Sequence, residues 1–163
     1  MSLVPELEAA NKKYESSFNK GSLTIPPSRK LFVLTCMDAR LDPAKFLGLE
    51  EGDAHVFRNA GGRAVEALRS VIISQQLLGT REIVVIHHTD CGMLTFRDDE
   101  LREKIQSDLG QDTSHIAFLP FRDLEESVHH DVQFLKNSKL VLDVPVTGYI
   151  YDVKTGKIEE VKA

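Results

Sequence analysis

"LFVLTCMDAR", residues 31 to 40, opens on an apolar run and closes on a thiol, a carboxylate and a guanidinium placed at every second residue. The run has the length and composition of a buried strand. Cys36, Asp38 and Arg40 then crowd its carboxyl end, where burying any one of them unpaired would be costly. One packed polar site satisfies all three. "REIVVIHHTDCG", residues 81 to 92, repeats the arrangement, with Ile83 to Ile86 leading into His87, His88, Asp90 and Cys91.

Outward from these two stretches, short β-rich runs alternate with longer helical ones. The pattern predicts strands at 31–35, 54–58 and 82–87, with helices at about 43–49 and 64–78 between them. Asp42-Pro43 reads as a cap followed by a first-turn proline, and Gly79 sits where a glycine ends a helix. Helices at about 98–108 and 122–136 follow, then a strand near 146–152 and a turn at Asp152–Gly156 into a last short strand. Residues 3–20 read as an amphipathic helix stopped near Gly21, and Pro26-Pro27 separates it from the first strand. The expected fold is α/β: one domain over residues 1–163 with a mainly parallel sheet flanked by helices, and residues 1–25 as an N-terminal helical arm.

The chain has 163 residues, of which 42% are apolar, enough for a core. A formal charge of −5 without a Lys/Arg cluster argues against a nucleic-acid partner. No apolar run approaches the roughly 20 residues that span a bilayer, and the first residues hold no signal-peptide core, so no membrane partner is expected and the location is expected to be cytoplasmic. Two cysteines without a secretory signal are better read as reduced thiols than as a disulfide.

In open parallel sheets ligands bind beyond the carboxyl ends of the strands. If the two strands are neighbours, Cys36, His88 and Cys91 meet there. Two thiolates and an imidazole suit Zn²⁺, and three protein ligands leave a fourth position open, as catalytic sites do. Spacing alone does not choose between His87 and His88. His88-x-x-Cys91 is a compact bidentate spacing, and strand alternation then turns His87 to the opposite side as a core or supporting histidine. Two other readings compete. Each cysteine could be a buried apolar-like thiol, or Cys36 or Cys91 could be a nucleophile activated by His88 with Asp90 as orienter, which leaves one cysteine over.

Cys36-x-Asp38-x-Arg40 together with His88-x-x-Cys91-Gly92 resembles the β-class carbonic anhydrases. "EGDAHVFRNAGG" (51–62), "SQQLLGTREIVVIHHTDCGM" (74–93) and "GYIYDVKTGKIEEV" (148–161) resemble the short, minimal branch of that family, so the likeness covers most of the chain. It implies zinc on Cys36, His88 and Cys91, reversible hydration of CO₂ to bicarbonate by hydroxide generated at the metal, and an Asp38–Arg40 pair beside it. Asp38 would accept a hydrogen bond from the hydroxide while Arg40 keeps it ionised and fixed. In a closed state of the site, Asp38 would become the fourth ligand. The chain is short for that family and its first 25 residues read as an arm that needs a partner surface, so a homodimer or dimer of dimers is expected; the resemblance further implies an active site near the interface. A relative in this short branch hydrolyses carbon disulfide, so CS₂ or COS is the alternative substrate at the same site. A non-catalytic zinc or redox-sensing protein is the alternative outside the enzyme class.

Two departures from the larger members stand out. They carry a substrate-reaching glutamine shortly before the first zinc cysteine, whereas this chain has Ile25-Pro26-Pro27-Ser28; and they often carry glycine where His87 stands. "RNAGGR" (58–63) lacks both the G-x-G-x-x-G and the Walker pattern, so it reads as a tight turn bringing backbone N–H groups near the product anion. Arg58 and Asn59 read as structural pairs around the site. His55, His115, His129 and His130 have no ligand spacing.

Overall fold

Four apolar residues followed by Thr35 and Cys36 make β1 (Leu31–Cys36), which is buried from Phe32 onward on both faces. In the computed structural model, which describes residues 2–162, β1 lies second in a five-stranded sheet. The other strands are β2 (Ala54–Asn59), β3 (Glu82–His88), β4 (Val146–Tyr151) and β5 (Ile158–Val161). The order is β2-β1-β3-β4-β5; all pairs are parallel except β4 with β5. A parallel sheet must be covered on both faces, which is why β1 and β3 read as continuous apolar runs rather than alternating ones. Met1 and Ala163, the ends of the expected domain, lie outside the described residues.

Strand alternation sorts the core. Phe32 and Leu34 of β1, with Ile83 and Val85 of β3, pack against Ala67 and Val71 of α3 (Ala64–Leu78) and Val128, Val132 and Leu135 of α5 (Leu124–Asn137). Val33 and Ile86 face the other way, onto Leu49 and the residues around α2 (Pro43–Leu47). Each large aliphatic group buried this way contributes roughly 1.5–3 kcal/mol. α5 rests directly on the backbone of β4, because a Cβ at Gly148 would collide with the side chain of Val128. A further helix, α4 (Asp98–Leu109), lies between β3 and α5 in the chain.

The boundaries follow the sequence expectations closely, with α3 ending at Gly79 in the left-handed conformation (φ 77°). Two details differ. Asp42 precedes α2 but makes no capping hydrogen bond, since its carboxylate pairs instead with Lys45 at 3.0 Å. The N-terminal helix, α1 (Val4–Glu15), is shorter than 3–20 and buries none of its residues. With no core beneath it, nothing extends the helix beyond its local propensity. Tyr14, which donates to Glu51 at 2.6 Å, and Lys20, which pairs with the same carboxylate, tie this segment to the body. No helix among the described residues is long and apolar enough to cross a membrane.

Candidate metal centre

β1 and β3 are adjacent and in register, with Thr35 opposite Ile86, so the chain leaves both strands at one place. There Cys36, His88 and Cys91 converge: two sulfurs and a ring nitrogen lie within 4.8 Å of one another, and all three residues are buried. Zn–S bonds of about 2.3 Å and Zn–N bonds of about 2.0 Å set ligand separations of roughly 3.5–3.8 Å in a tetrahedron, which this cluster accommodates.

The tautomer of His88 follows from its neighbour. Nδ1 lies 2.8 Å from the carbonyl oxygen of Thr89, which can only accept, so Nδ1 carries the proton and Nε2 keeps its lone pair. That Nε2 is buried and has no hydrogen-bond partner among the described residues. A buried polar atom left unpaired is destabilising unless something outside the protein satisfies it. A lone pair facing two thiols is a metal ligand's arrangement.

The two thiols oppose each other's ionisation. Cys36 is lowered to about 4, first by the hydrogen bond from the Cys91 thiol and also by the N–H of Gly61, which points at its sulfur from 3.3 Å. Cys91 is pushed far up by that same neighbouring thiolate and by burial. A dication favours both thiolates and removes the conflict. The donor set therefore fits zinc.

The glycine turn supports this corner. At Gly62 (φ 69°) a side chain would be strained, and its Cβ would press on the backbone, meeting the Thr35 carbonyl carbon at 3.1 Å and the Cys36 nitrogen at 3.2 Å. The turn thus packs on the end of β1, and the N–H of Gly61 serves the sulfur of Cys36 rather than an anion in the cleft. Arg58 braces the next residues, donating to the carbonyls of Cys36 (2.9 Å) and Asp38 (2.7 Å). Asn59 closes the turn by pairing with the backbone of Arg63.

Asp38 stands outside the three-atom cluster, with Oδ2 3.8 Å from His88 Nε2. Arg40 holds it with three bonds: its backbone N–H and Nε to Oδ1, both 2.9 Å, and Nη2 to Oδ2 at 2.8 Å. These bonds keep the Asp38 carboxyl well below the usual carboxylate range. Arg40 also reaches Asp90 in the second loop, a contact the sequence reading missed because fifty residues separate the two. A cleft of about 550 Å³ opens on Cys36 and Cys91, walled by Met37, Ala39, Ala60 and Met93, with Asp38 and Arg40 its only charged lining.

His87 points to the opposite face of the sheet, as alternation requires. Its ring contacts Ser127 Oγ at 2.7 Å and Asp131 at 3.2 Å and stacks on Phe121, while Arg63 pairs with Asp131 at 3.1 Å. His55 pairs with Ser74, and neither His115, His129 nor His130 lines the cleft.

The carbonic anhydrase family model matches residues 31–119, which hold both loops of the site. β-Carbonic anhydrase 1 of Mycobacterium tuberculosis is 43% identical over 99% of each chain. This chain belongs to the β-carbonic anhydrase family. The structure of a carbonic anhydrase from Glaciozyma antarctica superposes with a TM-score of 0.92 at 50% identity, covering 99% of this chain and 100% of that one. A carbon disulfide hydrolase of Acidithiobacillus thiooxidans is 32% identical over 97% of this chain and 90% of its own. The β-carbonic anhydrase membership and the α/β fold agree with the resemblance read from Cys36-x-Asp38-x-Arg40 and His88-x-x-Cys91.

Proposed function

We propose that the chain catalyses the reversible hydration of CO₂ to bicarbonate and a proton, with zinc held by Cys36, His88 and Cys91. The observation that carries this reading is the buried, unpartnered Nε2 of His88 facing two cysteines at the floor of an open cleft. When bound there, zinc supplies the Lewis acidity that makes water nucleophilic near neutral pH, and three protein ligands leave it an open position.

The side chains of the cleft supply the rest. Asp38 is ionised and can only accept, so it takes the proton-bearing side of the attacking water and leaves a lone pair free to meet carbon. Arg40 fixes that carboxylate by a side-on, two-atom pairing, which determines direction as well as charge. Asp38, whose Oδ2 lies 3.8 Å from His88 Nε2, would serve as a fourth ligand to a bound zinc in a closed state of the site, and its pairing with Arg40 would hold it back in the open one. Met37, Ala39, Ala60 and Met93 suit a neutral linear substrate and offer no hydrogen bonds to retain the anionic product.

A metal assay with stopped-flow CO₂ hydration tests this. About one zinc per chain with CO₂ turnover is the expected result; zinc without turnover of any small heterocumulene supports the sensing protein instead. The carbon disulfide hydrolase relative and the methionine-walled cleft favour one second reading, release of H₂S from CS₂ or COS at the same site. Sulfide release exceeding CO₂ turnover would establish it.

We infer also a homodimer or a dimer of dimers. The N-terminal segment exposes Leu3, Leu7, Phe18 and Ile25, the last at 81%, and an apolar arm of this kind needs a partner surface. Sedimentation of a fully active monomer at assay concentration would refute it. A reducing compartment, the cytoplasm, is the reading supported by two thiols that must stay reduced to bind metal.

A further inference from the structure

The guanidinium of Arg40 is held on two edges. One edge, Nε with Nη2, pairs with the carboxylate of Asp38. The other edge, Nη1 with Nη2, donates to Asp90 twice: Nη1 to Oδ2 at 2.7 Å and Nη2 to the backbone carbonyl at 2.9 Å. Four of its five N–H donors are thereby used. A planar group fixed on one edge can still swing about that edge; fixed on two, it cannot.

Asp90 has no packing duty that explains its position. Its side chain is 76% exposed, and it lies outside the Cys36–His88–Cys91 cluster. Its backbone adopts the left-handed region (φ 55°), which aspartate tolerates better than most residues. In that conformation its carbonyl and its carboxylate both reach the same guanidinium. The contact also crosses between loops: Asp38 and Arg40 follow β1, whereas Asp90 follows β3 and directly precedes Cys91.

We propose that Asp90 is a positioning residue for the reaction, fixing Arg40 from the second loop so that Asp38 stays off the metal and aimed into the cleft. The inference rests on the roles given above to Asp38 and Arg40, and it adds the element that makes their geometry depend on both loops at once. Removing Asp90 leaves Arg40 free to rotate, and Asp38 then gains access to the zinc.

The test compares Asp90→Gly, Asp90→Asn and Arg40→Ala in the zinc-loaded full-length protein. Glycine removes the carboxylate while accepting the left-handed backbone; asparagine keeps an acceptor oxygen at the same place. X-ray absorption at the zinc edge at pH 7.5 reads how many carboxylates bind the metal, and CO₂ hydration reads kcat and KM separately. Asp90→Gly is expected to retain zinc and an unchanged melting temperature, to add a carboxylate to the metal shell, and to lower kcat about tenfold with KM little changed, the low end for outer-shell partners. Asp90→Asn, which keeps the oxygen but not its charge, is expected to recover only part of that loss, with partial carboxylate ligation of the metal. A wild-type shell and kcat in Asp90→Gly, beside an altered shell in Arg40→Ala, would overturn the role of Asp90 and leave the Asp38–Arg40 pair standing. An unaltered shell in both variants would overturn that pair and the present proposal with it. Should Asp90→Gly fail to fold, Asp90→Asn decides: a modest kcat loss with partial carboxylate ligation supports the role, and a wild-type shell and kcat contradict it.

Discussion

His87 and His88 are consecutive, both fully buried, and opposite in use. His87 lies on the helix-covered face among Ser127, Asp131, Arg63 and Phe121, and each of its nitrogens has a protein atom to face. His88 uses Nδ1 on the carbonyl of Thr89, and its Nε2 has no hydrogen-bond partner among the described residues. Burial is equal, so burial does not distinguish the two. The unspent nitrogen does, and the pleat of β3 decides which residue has it.

The comparison breaks most severely if the ligands are interchangeable with their neighbours. Cys36→Ser or Cys91→Ser is expected to abolish zinc retention and reduce CO₂ hydration to the uncatalysed rate, because serine is a poor zinc donor and no spare thiol exists. Metal content by plasma emission, measured beside turnover, checks this; normal zinc in both variants would place the site elsewhere.

The next largest effect concerns the Asp38–Arg40 pair. Arg40→Ala and Asp38→Asn are expected to keep zinc while losing activity by roughly 10–100-fold. The pH dependence sharpens this. Because Arg40 depresses the Asp38 carboxyl, its pairing stabilises the fold above the unfolded value of about 4 and is lost only as pH falls through the still lower folded value. Asp38 is therefore charged throughout pH 6.5–9. A rise in CO₂ hydration across that range is expected, reflecting displacement of Asp38 from the metal, and Arg40→Ala is expected to lose most at the neutral end. A flat profile would remove the closed state.

On the other side of the sheet the cost is to stability. His87→Ala leaves the Asp131–Arg63 pair short of a partner in a cavity, for a loss of about 3 kcal/mol in urea denaturation at fixed protein concentration. Ser127→Ala, which takes the hydroxyl away from His87 Nδ1 and from the Leu124 carbonyl, is expected to cost about 1 kcal/mol with no change in zinc. A Ser127→Ala variant that sheds metal would mean the two clusters are one.

The convergence of Cys36, His88 and Cys91 was legible because it depends on local rules: apolar runs end at Cys36 and His88, parallel strands present their carboxyl ends together, and alternation separates His87 from His88. α3 was legible from its apolar periodicity and Gly79. What escaped the sequence was long-range or weakly anchored. The Arg40–Asp90 contact and the Asp131 partner of His87 join segments more than forty residues apart, and no residue type announces such a pairing. The N-H of Gly61 was expected near an anion and serves Cys36, because the tightness of the turn on β1 emerges only when the strands are in place. The end of α1 was overestimated since its apolar positions meet no core.

Zinc-edge X-ray absorption on the wild type, His87→Ala and His88→Ala tests the central claim most directly. The wild type and His87→Ala are predicted to show two sulfurs at about 2.3 Å and an imidazole nitrogen at about 2.0 Å, while His88→Ala holds no zinc in that shell. A His88→Ala protein with the full two-sulfur, one-imidazole shell, or a His87→Ala protein stripped of metal, would contradict the assignment of the unspent Nε2 as the ligand.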